Sequence, residues 1–457
     1  AQEGLDTTLV EKDAYGGACL NRGCIPSKAL ITGSGLAHEA GNAEFMGVHA
    51  DPAVDLGKMI EWKDGVVDRL TGGVEKLCKA AGVNLLSGTA FFSGGQEARV
   101  MHGGEGEGSE SIQFEHAIIA TGSRPIEIPG FSFADDPVLD SAQALDLRDP
   151  PDRLVVVGAG YIGMELSTVF ARLGTEVTVV EMLDDVLPGF EADLARPVKQ
   201  RAEDLGVEFH FGQAASEWRQ AEAAAEGAAG LPGEGIVVVT EDEDGNEHEH
   251  PAEKVLVAVG REPVTDTLEL DNLGLEPNPD GFLETDDQAR TAVEHVFAVG
   301  DVAGEPMLAH KGMMEGEVAA EVVAGEPVGL DYQAVPAAVF TDPEIATVGM
   351  TADEAEDAGF DPVVGQFPFR ASGRALSVGE TDGFVRIVAD GDAGFVLGGQ
   401  VVGPEASELI AEITLAVEMG ARLDDVVATV HTHPTLAEAV REAAANAQEK
   451  AVHTLNR

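Results

Sequence analysis

Cysteine is scarce in this chain, with three cysteines among 457 residues. So few cysteines exclude a secreted scaffold that disulfide bonds hold together. Basic residues are also scarce, since 28 Lys and Arg face 82 Asp and Glu, for a net charge of −54. This excess of negative charge excludes non-specific binding to nucleic acids or to anionic membranes. The sequence shows no apolar run of transmembrane length and no signal peptide, and a cytoplasmic protein is expected.

Although the chain is strongly acidic, 44% of its residues are hydrophobic. This composition excludes an intrinsically disordered protein. A chain of this length predicts about three domains with a sizeable core. Like charges repel one another over a longer range when salt does not screen them. The composition therefore predicts a halophilic protein, with a surface adapted to high salt.

Cys19 and Cys24 lie close together in the segment Tyr15–Lys28, YGGACLNRGCIPSK. In a regular helix, residues five apart have Cα atoms about 8.6 Å apart, whereas a disulfide tolerates about 7 Å at most. Gly23 and Pro26 permit the distorted turn that a bridge requires. The spacing favours a redox-active pair. Two free core cysteines or half of a metal site remain as alternatives, although no further metal ligands lie nearby; Cys78 is expected to be buried in a helix.

Residues 153–181 combine an apolar strand, a glycine-rich turn, a helix and a second strand that ends in an acid. The turn has the pattern G-x-G-x-x-G, in which glycines permit a tight turn and close approach of the backbone to a pyrophosphate. The start of the helix offers free N–H groups to phosphate. The acid is placed to accept hydrogen bonds from a ribose 2′-OH, which favours NAD over NADP. The residues concerned are Gly158, Gly160, Tyr161, Ile162, Gly163 and Glu181.

Glu11 likewise closes a β-branched run, Asp6–Val10. A dinucleotide fold should carry its glycine fingerprint about twenty residues upstream of such an acid. Because ten residues precede Glu11, we expect the chain to begin inside the helix that follows the fingerprint, with Gly4 as the helix C-cap. A missing amino terminus is favoured over an incomplete first fold.

Three further short strands end in a small residue and glycine, where the backbone can return close to a bound nucleotide. The third ends in an acid that can hold polyol hydroxyls. The residues concerned are Thr121, Gly122, Val259, Gly260, Arg261, Gly300 and Asp301. Residues 103–111 and 221–250 are expected to form solvated loops and a hairpin, with His248 and His250 on the surface.

The last third of the chain has an α+β pattern without a nucleotide fingerprint. Strands are predicted at 345–350, 384–390 and 395–402, and helices at 404–420 and 434–449. Near its end, Pro434 is expected to start the last helix and to orient His433, an acid–base candidate. Glu438 either bonds to the His433 ring or completes a capping box with Thr435. His431 competes with His433 for the catalytic role.

Together these motifs resemble the pyridine nucleotide–disulfide oxidoreductases, and within them the dihydrolipoamide dehydrogenases. The strongest markers are GGACLNRGCIPSKAL, VVVGAGYIGMELSTVFARLGTEVTVVE, AVGDVAGEPMLAHKG and HTHPTLAEA. The resemblance implies an α/β fold with two Rossmann-like domains and an α+β dimer-interface domain. It implies an FAD-binding domain at 1–140 and 262–333, an NAD-binding domain at 141–261 and a dimer-interface domain at 334–457.

The resemblance also implies the roles of individual residues. Cys19 exchanges with dihydrolipoyl thiols, Cys24 contacts the flavin, and His433, paired with Glu438, acts on the disulfide of the other subunit of a homodimer. Lys28 and Glu165 form a charge pair beside the flavin. The implied FAD contacts are Glu11, Lys28, Ala90, Asp301, Met307, Leu308 and Ala309. The implied cofactors are FAD and NAD, and the implied partners are lipoyl domains of 2-oxo acid dehydrogenase or glycine-cleavage systems.

Three alternatives remain beside this interpretation. A glutathione-type reductase needs basic residues that hold a 2′-phosphate, against which Glu181 argues. A mercuric-reductase-like enzyme would carry an extra cysteine pair at the carboxy terminus, which reads AVHTLNR. A non-catalytic scaffold subunit would have no need for Cys19, Cys24, His433 and Glu438. Departures from the family pattern are Ala18, where threonine is usual, and the segment after His310.

Overall fold

The computed structural model describes residues 1–103, 108–221 and 235–456. Parts of the loops expected at 103–111 and 221–250 lie outside these ranges. The strands are β1 Thr8–Glu11, β2 Asn84–Ser87, β3 Thr89–Gly94, β4 Glu97–Met101, β5 Ser109–Gln113, β6 Ala117–Ile119, β7 Ser123–Pro125, β8 Val138–Leu139, β9 Arg153–Val157, β10 Glu176–Glu181, β11 Glu208–Phe211, β12 Gln213–Gln220, β13 Ile236–Asp242, β14 Glu247–Ala252, β15 Lys254–Val257, β16 Arg261–Pro263, β17 Val296–Ala298, β18 Ala337–Val339, β19 Glu344–Gly349, β20 Pro362–Pro368, β21 Phe384–Asp390 and β22 Val396–Gly403.

The α-helices, in chain order, are α1 Gly17–Arg22, α2 Cys24–Asn42, α3 Leu56–Ala80, α4 Ser141–Leu145, α5 Tyr161–Arg172, α6 Ala192–Asp204, α7 Ala309–Ala324, α8 Ala352–Asp357, α9 Gly373–Val378, α10 Ala406–Glu418, α11 Leu423–Ala428 and α12 Glu438–Ala447. Short 3₁₀ turns lie at Ala43–Met46, Leu270–Asn272, Gly300–Val302 and Phe369–Ala371. No helix within the described ranges is long and apolar enough to cross a membrane.

The chain divides into two compact units, of which the first contains residues 1–149 and 257–331. Its parallel pairs are β1 with β2 and β6 with β17, while β3, β4 and β5 form an antiparallel sheet. Parallel pairs need long crossovers, and α1 to α3 lie in the crossover between β1 and β2. The carboxyl ends of β1, β6 and β17 carry the acids and glycines that the sequence singles out.

The second unit contains residues 150–256 and 332–457. In its first part, the strands follow the order β11, β10, β9, β15, and β9, β10 and β11 run parallel. Helix α5 connects β9 to β10 and α6 connects β10 to β11, which is the β–α–β arrangement of a dinucleotide-binding fold. Most residues of β9 and β10 are buried, as expected for strands that are covered on both faces.

The antiparallel sheet of β12, β13 and β14 corrects one prediction from the sequence. His250 was expected on the surface, but it is 6% exposed. Its Nε2 lies 3.0 Å from Thr240 Oγ1 and 3.2 Å from Gln213 Oε1, and its ring contacts the ring of His210. The alternation of β14 turns His250 inward, where burial and then the charges of His210 and His248 lower its pKa to about 4.

This lowered pKa predicts a stability loss in acid. The ordinary pKa of the histidine is 6.5, so between pH 6.5 and pH 4 the unfolded chain binds a proton that the folded chain does not. Stability is then complete above pH 6.5 and falls as the pH decreases toward 4. At pH 5 the loss attributable to His250 is about 2 kcal/mol, which urea unfolding of wild type and His250→Gln at pH 8 and pH 5, in the same salt, will measure.

The control for this measurement is His248→Gln on the same strand, since His248 is half-exposed. Between pH 8 and pH 5, His248→Gln should lose nearly as much stability as wild type, because the charge of His248 is the smallest of the causes that lower the pKa of His250. His250→Gln should lose about 2 kcal/mol less than wild type. Equal pH dependence in wild type and His250→Gln would contradict the burial of a neutral histidine at this position.

The second part of unit 2 is an α+β region. Its antiparallel sheet follows the order β18, β19, β22, β21, β20, and α10 and α12 pack on it through apolar residues such as Val385, Ile413 and Val440. The predicted strands at 345–350, 384–390 and 395–402 are confirmed as β19, β21 and β22. The last helix begins at Glu438 and not at Pro434, which corrects the predicted start.

The bounds of the two units lie within ten residues of the predicted domain boundaries. However, the clustering of contacts places 150–256 and 332–457 in one unit. The division into an FAD domain at 1–140 and 262–333, an NAD domain at 141–261 and an interface domain at 334–457 therefore stays a prediction. At the amino terminus, residues 1–4 form a turn in which Gly4, with φ of +81°, donates its N–H to the carbonyl of Ala1.

Candidate active site

Cys19 and Cys24 form a disulfide in unit 1, with their Cα atoms 4.7 Å apart. Cys19 lies in α1 and Cys24 begins α2, and Gly23 between the helices has non-helical angles, φ −134° and ψ −106°. A continuous helix would hold the two Cα atoms about 8.6 Å apart. The break at Gly23 thus makes the bridge possible, as the spacing predicts. Cys78 lies on α3 as a free thiol, but it is half-buried and not buried.

The carboxyl ends of β6 and β17 bring Gly122 and Asp301 into one region of unit 1. Thr121 Oγ1 donates to the carbonyl of Val264 at 2.6 Å, and the carbonyl of Gly122 accepts from the N–H of the same residue at 2.9 Å. Ser123 Oγ donates to the Asp301 carboxylate, and it accepts from Arg261 Nε at 2.8 Å. Ser123 is a link that the sequence did not reveal, because its partners lie far along the chain.

Helix α7 begins beside the Gly300–Val302 turn. Gly312 packs so closely on Gly300 that a Cβ at Gly312 would lie 2.9 Å from the Gly300 Cα. The buried ion pair Lys311–Glu315 holds the same turn, since Glu315 accepts from the N–H of Gly300 at 2.7 Å. The turn and the helix N-terminus, with Met307, Leu308 and Ala309, thus form one fixed group in which backbone N–H groups can meet phosphate.

The other predicted FAD contacts lie on separate elements of unit 1. Glu11 ends β1, and its carboxylate accepts from the N–H of Asp13 at 2.9 Å. Lys28 lies half-buried on α2, and Ala90 lies on β3 opposite Val100. Their contact with FAD stays a prediction. An acid at a strand end, a cation and a helix N-terminus in one unit are suited to hold a dinucleotide.

In unit 2, the glycine turn after β9 has the three features that a pyrophosphate site requires. Gly158 has φ of +104°, which a residue with a side chain rarely adopts. A Cβ at Gly160 would meet open space, which leaves room for a ligand at the start of α5. A Cβ at Gly163 would lie 2.0 Å from the carbonyl oxygen of Gly158, so α5 can only pack this closely on the turn with glycine there. Tyr161 and Ile162 form the first turn of α5.

Glu181 closes β10 next to this turn and is 7% exposed. Its Oε2 accepts from the N–H of Ala159 at 2.8 Å, and its Oε1 accepts from the N–H of Leu183 at 2.9 Å. These two bonds orient the carboxylate beside the glycine turn, where it can accept hydroxyl hydrogen bonds and repel a 2′-phosphate. Together, the turn and Glu181 fit NAD.

The remaining predicted cofactor contacts are Glu165, Val259 and Gly260, and their roles stay predictions. Glu165 is buried on α5 and accepts from the N–H of Phe340 at 2.8 Å. Its pairing with Lys28 stays a prediction. Val259 and Gly260 follow β15, and the carbonyl of Gly260 accepts from the N–H of Ile126 at 3.1 Å.

His433 and Glu438 form a pair at the start of α12. His433 Nδ1 lies 3.0 Å from Glu438 Oε1, and Glu438 Oε2 accepts from the N–H of Thr435 at 2.9 Å. The carboxylate thus contacts the histidine and also makes one half of the capping box, so the two alternatives from the sequence do not exclude each other. Partial burial raises the pKa of Glu438, but the bonds from Thr435 and His433 outweigh it and lower this pKa below its usual range.

The two histidines of the motif differ in what they contact. The side chain of His433 is 81% exposed, and none of the described residues hydrogen-bonds to its Nε2. The side chain of His431 is 7% exposed, with Nε2 at 2.8 Å from Glu412 Oε1 and Nδ1 at 3.0 Å from the carbonyl of Thr429. His433 is therefore the histidine that can exchange a proton with a ligand.

Comparison with known proteins covers the whole chain. Residues 1–316 match the model of pyridine nucleotide-disulphide oxidoreductases, and residues 335–444 match the dimerisation domain of these enzymes, which supports a homodimer. The dihydrolipoyl dehydrogenase of Halobacterium salinarum is 68% identical over 100% of this chain and 94% of its own length. That of Geobacillus stearothermophilus is 44% identical with the same coverage.

Among solved structures, LpdA from Mycobacterium tuberculosis aligns with a TM-score of 0.86 at 28% identity, covering 96% of this chain and 93% of its own. These matches confirm the predicted α/β fold class with its dimerisation domain, and the haloarchaeal relative agrees with the predicted adaptation to salt. The chain belongs to the pyridine nucleotide-disulphide oxidoreductases, in their dihydrolipoyl dehydrogenase branch.

Proposed function

We propose that this enzyme reoxidises dihydrolipoyl groups carried on lipoyl domains, and that it works in the cytoplasm. Its cofactors are FAD and NAD, as in the family to which it belongs. The observation that carries the proposal is the Cys19–Cys24 disulfide, in a chain that also has a glycine turn suited to a dinucleotide and a histidine paired with a carboxylate. Lipoyl domains of 2-oxo acid dehydrogenase or glycine-cleavage systems are the proposed donors.

The proposed reaction begins with the transfer of a proton from the substrate to the enzyme. His433 Nε2 accepts the proton of an incoming dihydrolipoyl thiol, and the adjacent negative charge of Glu438 favours the imidazolium that results. We assign this histidine to the disulfide of the other subunit of the homodimer. The lipoyl thiolate attacks Cys19 Sγ, the disulfide bond breaks, and Cys24 leaves as a thiolate.

The second lipoyl thiol then completes the exchange. It attacks the lipoyl sulfur of the mixed disulfide, so that lipoyl disulfide forms and Cys19 is released as a thiol. The substrate has lost two electrons and two protons, and the cysteine pair has gained two electrons. When bound, FAD would supply the acceptor for these two electrons, and NAD would supply the final acceptor of the hydride. Glu11, Asp301 and Ala309 would hold FAD, and the turn at Gly158–Gly163 with Glu181 would hold NAD.

An assay that compares donors and acceptors tests the function. The protein, saturated with FAD in molar KCl, is expected to reduce NAD with dihydrolipoamide at least about 100-fold faster than it oxidises NADPH with glutathione disulfide. The physical reason is that Glu181 repels the 2′-phosphate of NADPH. Preferred turnover of glutathione disulfide with NADPH would contradict the proposal.

A further inference from the structure

The side chain of Asn21 bonds to three carbonyl groups of the segment that carries Cys19. Its Nδ2 donates toward the carbonyl oxygens of Gly17 at 2.9 Å, Tyr15 at 3.1 Å and Ala14 at 3.4 Å. Its Oδ1 accepts from the hydroxyl of Thr71 on α3 at 2.8 Å. Because carbonyl oxygens only accept hydrogen bonds, the NH₂ group must face the segment and the oxygen must face Thr71.

This segment would otherwise be loosely fixed. Residues 12–16 connect β1 to α1 outside any strand or helix, and Gly16 and Gly17 have φ of +113° and +75°. The other side-chain bonds that the structure shows for the segment are those of Glu11 to the N–H of Asp13 and of Arg22 to the Asp13 carboxylate. Arg22 and Asp13 are about half-exposed, so their ion pair adds little.

Asn21 lies between the two cysteines of the disulfide, two residues after Cys19 and three before Cys24. Its side chain bonds both to the turn before α1 and to Thr71 on α3. While the disulfide is closed, the covalent bond itself keeps the two sulfurs together. When the disulfide opens, the amide network still connects the Cys19 turn to α3.

We propose that Asn21 is a positioning residue that keeps Cys19 within reach of Cys24 in the reduced enzyme. A dithiol closes to a disulfide more readily when its two thiols are held close, because less conformational freedom is lost on closure. Asn21 thus sets the equilibrium between dithiol and disulfide. The inference rests on the proposed function only in that it takes this disulfide as the one that reacts.

The test measures this equilibrium directly. The FAD-loaded enzyme is equilibrated with reduced and oxidised dithiothreitol, which transfers two electrons to the disulfide and itself closes to a cyclic disulfide. Free thiols are then alkylated, and mass spectrometry measures the fraction of Cys19 and Cys24 that carries the label. We expect the equilibrium constant for disulfide formation to fall about tenfold in Asn21→Ala and Asn21→Asp, which corresponds to about 30 mV.

The variants separate the contributions of the amide. Asn21→Asp keeps the acceptor for Thr71 but replaces the donor by an acceptor that faces three carbonyl oxygens. The equilibrium constant should therefore fall at least as far in Asn21→Asp as in Asn21→Ala. Thr71→Val removes one bond and should lower the constant about threefold. Asn84→Ala is the matched control, since Asn84 is an exposed residue of the same unit that bonds to the Asp6 side chain; its constant should not change.

The result that would overturn the proposal is a constant within twofold of wild type in folded Asn21→Ala and Asn21→Asp. If neither variant folds, Thr71→Val decides, and a constant equal to that of Asn84→Ala overturns the proposal. Thiol counting does not depend on dihydrolipoamide or NAD. A failure of the proposed function in the assay of donors and acceptors is therefore distinguishable from a failure of this inference.

Discussion

Cys19→Ser is expected to abolish turnover of dihydrolipoamide with NAD while FAD stays bound. A serine hydroxyl cannot form the disulfide, so the incoming thiolate has no disulfide bond to attack. The loss should be about 10⁴-fold or more, as for other covalent nucleophiles. The flavin contacts proposed for unit 1 lie outside Cys19, so the absorbance ratio of flavin to protein should equal that of wild type.

Spectroscopy distinguishes the two cysteines. In Cys19→Ser, Cys24 remains as a free thiol group, and we expect a long-wavelength absorption band of its thiolate beside the flavin. In Cys24→Ser this band should be absent, because the remaining sulfur is the one assigned to substrate. The same band in both variants would contradict the different roles of the two cysteines.

Cys78→Ser is the control that the chain itself offers. Cys78 is a free, half-buried cysteine on α3, outside the disulfide. It has the same chemistry as Cys19 but no part in the proposed exchange, so turnover should stay within about twofold of wild type. Normal turnover in Cys19→Ser would refute the assignment outright, and a loss in Cys78→Ser similar to that in Cys19→Ser would point to general damage by loss of a thiol.

The sequence predicted those features of the site that residues close together in the chain form. The strand, glycine turn and helix at 153–172 depend on neighbours in the chain, and the open space at Gly160 and the close contact at Gly163 follow from the motif. The bridge between Cys19 and Cys24 is likewise local, since the break between the two helices lies at Gly23, between the two cysteines. Strand patterns in the last third gave bounds within one residue of the observed β19, β21 and β22.

The parts of the fold and of the site that the sequence did not predict depend on contacts between residues far apart in the chain. Ser123 meets Asp301, 178 residues away, and Asn21 meets Thr71, 50 residues away, so neither link has a signal in the local sequence. His250 was misplaced because its charged neighbours indicate a solvated strand, whereas the pairing of β13 with β14 turns this one ring toward Thr240. Burial of a polar side chain follows from the partner strand, which local composition does not encode.

The start of the last helix shows the same limit. A proline is often the first residue of a helix, which is why Pro434 was expected to begin it. The structure places the start at Glu438 instead, and the carboxylate of that residue bonds to His433 and to the N–H of Thr435. The intervening residues form the turn that brings the carboxylate back to the ring. The sequence showed that His433 and Glu438 are five residues apart, but it did not show the turn that brings their side chains together.

His433→Gln is expected to lower kcat about 10²- to 10³-fold, because glutamine retains polarity but cannot accept a proton from the lipoyl thiol. Cys19 and Cys24 are unchanged in this variant, so the disulfide should still be reduced by dithiothreitol as in wild type. The measurement is steady-state turnover of dihydrolipoamide with NAD at pH 6 to 9. At high pH the substrate thiol ionises without help, so the deficit of the variant should shrink as the pH rises.

Glu438→Gln and His431→Gln complete the experiment. Glu438→Gln keeps an acceptor for Thr435 but removes a charge that the lowered pKa of Glu438 maintains into acid, so a smaller loss of about tenfold is expected. His431→Gln removes a buried ring that bonds to Glu412 and Thr429, so it should lower thermal stability while kcat stays within a few-fold of wild type. If His431→Gln instead lost more turnover than His433→Gln, the catalytic histidine would be the buried one, and the exposure of the His433 ring would need another explanation.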